Sequence, residues 1–158
     1  MLKLFKYILA SIILIFPLYS FANQGNTVSI KSNSQELEQL NDGNLRSVFV
    51  GNVVVVYNQT TTITADRVVV TSINGKRTIV ATGKNVTVLN DEKNFKLVCE
   101  RLQFDVNANL ITANDGTATL NGNKITGKTL VYNTQTGNIN ASGNSGSQVI
   151  TVINNVKE

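Results

Sequence analysis

The residues able to do chemistry are few in this 158-residue chain, which has no histidine and a single cysteine, Cys99. A Ser-His-Asp or Cys-His nucleophile needs an imidazole base, and typical zinc sites need several His or Cys ligands. Neither can be assembled. Carboxylates remain, among them Asp66, Asp91, Glu92, Glu100, Asp105 and Asp115, and two of them converging in a cleft could act as acid and base. The adjacent pair Asp91-Glu92 lies within Asn90-Asp91-Glu92-Lys93-Asn94, the composition of a solvated turn rather than of a cleft. Phosphate-cradling GxxxxGK[ST] and GxGxxG loops are missing as well. Cys99 cannot form an internal disulfide, and a free cysteine mostly behaves as a small hydrophobe. The expectation is a non-enzymatic protein with no catalytic residue, no metal and no cofactor, in which Cys99 is a packed thiol.

What must be positioned is therefore a surface or an interior. Residues 1–22, MLKLFKYILASIILIFPLYSFA, begin with Lys3 and Lys6, continue as an apolar run and end on Ser20-Phe21-Ala22. That is the layout of a cleavable signal peptide. The apolar run is shorter than the roughly 18 to 20 residues a spanning helix needs; an uncleaved anchor is the competing reading. With the signal removed, residues 23–158 suit one domain, which buries about two thirds of its unfolded surface. The net charge of +4 loses Lys3 and Lys6, leaving 12 basic against 10 acidic residues, or +2. This mild and scattered charge predicts no nucleic-acid partner; Lys76-Arg77 is the one adjacent basic pair and reads as solvated surface.

The remaining sequence is rich in Val, Ile and Thr and is punctuated by Asn41-Asp42-Gly43-Asn44, Asn74-Gly75, Asn114-Asp115-Gly116, Asn121-Gly122 and Thr136-Gly137. Such spacing predicts an all-β domain of short strands. Asn74-Gly75 between two β-branched runs is a type I′ hairpin signal, because both central residues must take positive φ. Ser34–Leu40 is too short for an independent helix and reads as strand or one turn. Aligning Gly51, Gly83, Gly116 and Gly143, taken as the glycines that end one strand and open the next, exposes a weak repeat of strand pairs.

Within that repeat, Ile63–Val70, Leu97–Phe104 and Ile125–Tyr132 share one layout. A large aliphatic comes first, a small residue third (Ala65, Cys99, Gly127) and a charged one fourth (Asp66, Glu100, Lys128). Large apolar residues return sixth and eighth: Val68 and Val70, Leu102 and Phe104, Leu130 and Tyr132. Side chains alternate faces in a regular strand, so the change from odd to even positions predicts a bulge or corner at the charged residue. Corners at matching places let a sheet fold over into a two-walled stack with one apolar interior.

With these motifs in place the chain resembles the LptA/OstA family. The resemblance rests on Ser29–Asn33 with Leu37, Phe49–Val55 containing Gly51-Asn52-Val53, Ile63–Val70 containing Ala65-Asp66-Arg67, then Ala81-Thr82-Gly83, Gly116 and Tyr132. One departure is Asn33, where relatives often carry an acidic residue. The resemblance implies a slightly twisted OstA-like β-jelly roll, V-shaped in cross-section, with an apolar groove along its length. It also implies a Gram-negative periplasmic location and lipopolysaccharide as ligand, held by its lipid A acyl chains and passed from the inner to the outer membrane. Its implied partners are further copies joined head to tail, an LptC-like inner-membrane protein and an LptD-like outer-membrane protein.

On this reading the groove is lined by Val53, Val55, Ile63, Val68, Val70, Leu102, Phe104, Ile111, Leu120, Ile125, Leu130 and Tyr132. The same residues would line the core of any β-sandwich. Scarce aromatics and no Trp leave space between two walls. The partner-pairing edges are expected at Thr27, Val28 and Ile30 and at Val149, Ile150 and Val152, since unpaired end strands invite strand addition. The apolar C-terminal stretch could equally close the domain's own sheet. An LptC-like anchored interaction module, without a lipid-carrying role of its own, is the alternative, and retention of the Met1 segment would favour it.

Overall fold

Long strands rich in Val, Ile and Thr, each followed by a turn residue with positive φ, generate an antiparallel meander. A computed structural model describes residues 26–154; the expected signal segment, residues 1–22, lies outside them. The strands are β1 (Val28–Lys31), β2 (Ser34–Gln39), β3 (Leu45–Tyr57), β4 (Thr61–Ile73), β5 (Lys76–Asn90), β6 (Phe95–Asp105), β7 (Leu110–Leu120), β8 (Asn123–Asn133), β9 (Ile139–Ser142) and β10 (Ile150–Val152). Single 3₁₀ turns at Asn41–Gly43 and Asp91–Lys93 join β2 to β3 and β5 to β6. At the predicted hairpin Asn74 and Gly75 have φ of 51° and 75°, both positive as a type I′ turn requires.

All pairings are antiparallel and form one open sheet in the order β1-β3-β4-β5-β6-β7-β8-β10. β2 adds beside β3 and β9 beside β8, so each end of the sheet is made of two short strands on one long one. Of the two readings of Ser34–Leu40, strand or one turn, β2 is the strand.

Every long strand bends near its middle. In β4 the buried positions are Thr61, Ile63 and Ala65, then Asp66 and Arg67 are exposed, and burial resumes at Val68. In β6 the break falls at Glu100 and Arg101, between Cys99 and Leu102. Ladder register shifts at the same places: between Val50 and Val53, between Thr64 and Arg67, and between Thr82 and Val86. The corner predicted at the charged residue is thus present, and it forms a line across the sheet. On one side of the line lie residues 53–57, 61–65, 86–90, 95–99, 116–120 and 123–127 with β1 and β10; these make the first wall. On the other side lie 45–50, 67–73, 76–82, 101–105, 110–114 and 129–133 with β2 and β9, the second wall. Both contribute to a single buried cluster, so the walls face one interior. This is the two-walled β-jelly roll expected from the sequence.

One expectation is corrected. Gly51, Gly83 and Gly116 do not end one strand and open the next; β3, β5 and β7 run through them. They mark the corner itself, alternating along the line with Asp66, Glu100 and Lys128 from β4, β6 and β8. Gly51 (φ +83°) and Asn52 (φ 47°) both adopt the left-handed region, which lets β3 bulge opposite Asp66. Gly143 lies past the end of β9, outside the strands.

Candidate functional site

The interior is built by alternation on each half-strand. Of the expected lining, Val53, Val55, Ile63, Val68, Leu102, Phe104, Ile111, Leu130 and Tyr132 are fully buried, at 0–1% exposure, while Val70, Leu120 and Ile125 are half-buried against them. All twelve residues come together. β5 adds Ile79, Val86 and Val88, β3 adds Phe49 next to the corner, and the start of β6 adds Phe95. The alternation Ile79-x-Ala81 and Val86-x-Val88 carries the signal for the β5 residues.

Aromatic side chains bridge the walls at the ends of strands farthest from the corner. Tyr57 of the first wall meets Phe104 of the second edge-on, with centroids 4.9 Å apart and planes at 82°. Phe95 stacks on Tyr132 at 3.6 Å and 5°. The Tyr57 hydroxyl donates to Asn109 Oδ1 at 2.6 Å, tying the end of β3 to the turn after β6. Tyr132 is buried, and among the described residues its hydroxyl has no hydrogen-bond partner. Burial pushes that phenol up to about 12. Burial likewise pushes the Cys99 thiol up to about 11, against a smaller opposing hydrogen bond from the Arg101 backbone, so Cys99 is a packed neutral thiol.

At the N-terminal end of the stack the walls part. A cavity of about 290 Å³ opens between Val28 and Ile30 on the first wall and Leu45, Ser47, Phe49, Val70, Ser72 and Arg77 on the second. The interior is thus packed along its middle and open at this mouth.

The expected edge residues lie at the two ends of the sheet. Val28 and Ile30 are on β1, half-buried with their side chains against the core. Thr27 precedes β1 and extends its pairing, its N–H donating to Asn58 Oδ1 at 2.9 Å. Ile150 and Val152 are on β10 and are 62% and 49% exposed; Val149 lies just before the strand. β10 pairs with β8 through Thr126, Ile125 and Lys124 and is the last strand on its path. Closing the sheet and presenting an edge are therefore compatible. All six residues of β2 are exposed.

Asp66, Glu100 and Asp115 sit on the outside of the corner. Asp66 Oδ2 accepts from Lys84 N at 3.1 Å, and Asp115 pairs with Lys128. Asp66 and Glu100 lie on β4 and β6, with β5 between them. Asp91 and Glu92 form the expected surface turn, capped by Asn90.

Residues 29–138, more than half of the chain, match the family described as "LptA/(LptD N-terminal domain) LPS transport protein". No curated protein matches the chain in sequence. Among solved structures a similar one is LptH, the LptA homologous periplasmic component of the conserved lipopolysaccharide transport device from Pseudomonas aeruginosa. It superimposes with a TM-score of 0.70 over 82% of this chain and 96% of that chain at 24% identity, a likeness of fold.

Proposed function

The chain belongs to the LptA/LptD N-terminal domain family of LPS transport proteins, and from that premise we propose that it is a periplasmic bridge protein holding lipopolysaccharide by its acyl chains between the two walls. The observation that carries this reading is the single apolar interior shared by both walls and open at its N-terminal mouth. An acyl chain is non-directional in its contacts, so a lining of Val, Ile, Leu and Phe can hold it and release it along the groove without site-specific bonds. Val53, Val55, Ile63, Val68, Val70, Leu102, Phe104, Ile111, Leu120, Ile125, Leu130 and Tyr132 make up that lining.

Transfer across the periplasm needs the groove to continue beyond one domain. The ends of the sheet supply the means: β1 with β2 and β9 with β10 are terminal strands whose outer backbone groups can take up another strand. Copies of this chain join there head to tail, with LptC-like and LptD-like domains at the two membranes. The signal segment delivers the chain to the periplasm and is removed after Ala22. With no nucleotide loop in its sequence, this chain provides the route, and another component drives the movement.

Photo-crosslinking tests the proposal. A photoreactive residue replacing Phe104, in protein lacking residues 1–22 and mixed with purified lipopolysaccharide, is expected to label the lipid. The same residue at Glu100, on the outer corner, is expected not to. Equal labelling at both positions, or none at Phe104 in folded protein, would leave the LptC-like interaction module as the better account.

A further inference from the structure

The inward face of the second wall changes character from corner to lip. On β3 it runs Phe49, Ser47, Leu45; on β4 Val68, Val70, Ser72; on β5 Ala81, Ile79, Arg77. Strand alternation puts Arg77 on the same face as Ile79 and Ala81, while Lys76 points to the opposite face. Arg77 is exposed and pairs with Ser72, so its guanidinium stands at the solvent-facing lip of this face, just beyond Ile79 and Val70. Its surroundings supply no counter-charge: among the described residues no carboxylate forms an ion pair with Arg77. Asp105, across the ladder from neighbouring Thr78, is engaged with Ala108 N at 3.0 Å.

Two cavities meet at this side chain. The mouth cavity of about 290 Å³ is apolar on the side of Val28, Ile30, Phe49 and Val70. A second, of about 240 Å³, is lined by Asn26, Ser72, Gly75, Arg77, Val106 and Asn107 and is polar. Ser72 and Arg77 line both. The backbone at Arg77 is fixed independently of its side chain, since its N–H donates to Asn107 Oδ1 at 2.8 Å and its carbonyl accepts from Val106 N at 3.1 Å. Among the described residues the guanidinium has no hydrogen-bond or ion-pair partner, and it stands at the junction of an oily and a polar compartment.

We propose that the two cavities form one binding site for a phosphate-bearing amphiphile, its tail in the Val28–Phe49–Val70 mouth and its phosphate on Arg77 in the Asn26–Asn107 compartment. The planar guanidinium matches a phosphate with two parallel N–H donors, which a lysine does not reproduce. The site rests on the reading that the interior takes acyl chains and adds to it a recognition step: the mouth selects chains attached to an anionic head. Because Arg77 is exposed, its contribution is screened by salt.

The test is displacement of an uncharged dye that brightens in apolar sites, N-phenyl-1-naphthylamine, from the protein lacking residues 1–22. The competitors are dodecyl phosphate and dodecyl maltoside below their micelle concentrations, inorganic phosphate, and lipopolysaccharide. Wild type is expected to bind dodecyl phosphate about ten-fold more tightly than dodecyl maltoside, the scale of one charge-assisted contact. The preference should vanish in Arg77→Gln, persist in part in Arg77→Lys, and shrink at high salt, while inorganic phosphate alone displaces nothing. Equal binding of the two alkyl compounds by wild type, an equal loss for both in Arg77→Gln, or displacement by inorganic phosphate alone would each overturn the proposal. If lipopolysaccharide and dodecyl maltoside displace the dye and Arg77 has no influence, this site fails and the acyl-chain interior stands. If no amphiphile displaces it, the acyl-chain reading itself fails.

Discussion

The Asp66 carboxylate fills the space that a side chain at position 83 would need: a Cβ placed on Gly83 would lie 2.6 Å from Asp66 Oδ2 and 2.9 Å from its Cγ. The corner between β4 and β5 is therefore a fitted pair, with Asp66 Oδ2 also accepting from Lys84 N. Gly83→Ala must displace the carboxylate or the strand and is expected to lower stability by about 1–3 kcal/mol, the usual range for overpacking. Asp66→Ala alone loses the bond to Lys84 N, about 1 kcal/mol. The double variant should be more stable than the sum of the two, by about 1 kcal/mol. Urea unfolding of the four proteins measures this; strict additivity would mean that the two positions do not share space.

That corner was legible because it is written in the residue pattern. The shift from Ile63 and Ala65 to Val68 and Val70 across Asp66, repeated around Glu100 and Lys128, locates the bend in each even strand. The continuity of the odd strands was not legible, since a glycine weakens a strand locally and reads as an end. Ladder bonds on both sides carry β3, β5 and β7 through their glycines, and pairing of that kind has no local signature. Of the site, the lining followed from alternation. The cross-wall contacts Tyr57–Phe104 and Phe95–Tyr132 did not, because they join strands separated along the stack. Arg77 could have been placed inward by counting back from Ile79, but the adjacent Lys76 made the pair read as surface charge.

Burial of Cys99 predicts alkaline sensitivity. The thiol is raised from an ordinary value of 9.0 to about 11 in the fold. Above pH 9 the unfolded chain gives up this proton and the folded one keeps it, so the unfolded state binds fewer protons and stability falls as pH rises from about 9 to about 11. Below pH 9 the group has no effect on the slope. Thermal unfolding followed across this window should show a steeper decline for wild type than for Cys99→Ala. Equal slopes would mean that the thiol ionises freely in the folded protein.

Two tyrosines should respond oppositely to loss of the same atom. Tyr57 donates its hydroxyl to Asn109 Oδ1 at 2.6 Å, whereas the buried Tyr132 hydroxyl has no partner among the described residues. Tyr57→Phe is expected to cost about 1 kcal/mol, and Tyr132→Phe to be neutral or stabilising, because it removes a desolvated group that makes no bond. Tyr132→Ala, which also removes the ring stacked on Phe95, should cost about 3–5 kcal/mol. Melting temperatures rank the three. A loss for Tyr132→Phe matching that of Tyr57→Phe would reveal a partner for the Tyr132 hydroxyl.

The C-terminal edge offers the sharpest handle on assembly. β10 is three residues long, its Ile150 and Val152 are exposed, and it is the last strand on its path, so little of the domain's own core depends on it. A lysine in place of each should leave the fold intact, since exposed substitutions away from caps and core usually change stability by less than about 0.5 kcal/mol. It should nevertheless block edge-to-edge pairing, which charged side chains on an end strand oppose. Wild type is therefore expected to grow in apparent mass with concentration in light scattering, and Ile150→Lys/Val152→Lys to stay a monomer with an unchanged circular dichroism spectrum. If the variant self-associates like wild type, head-to-tail pairing does not run through β10, and β2, whose residues are all exposed at the other end of the sheet, becomes the strand to block next.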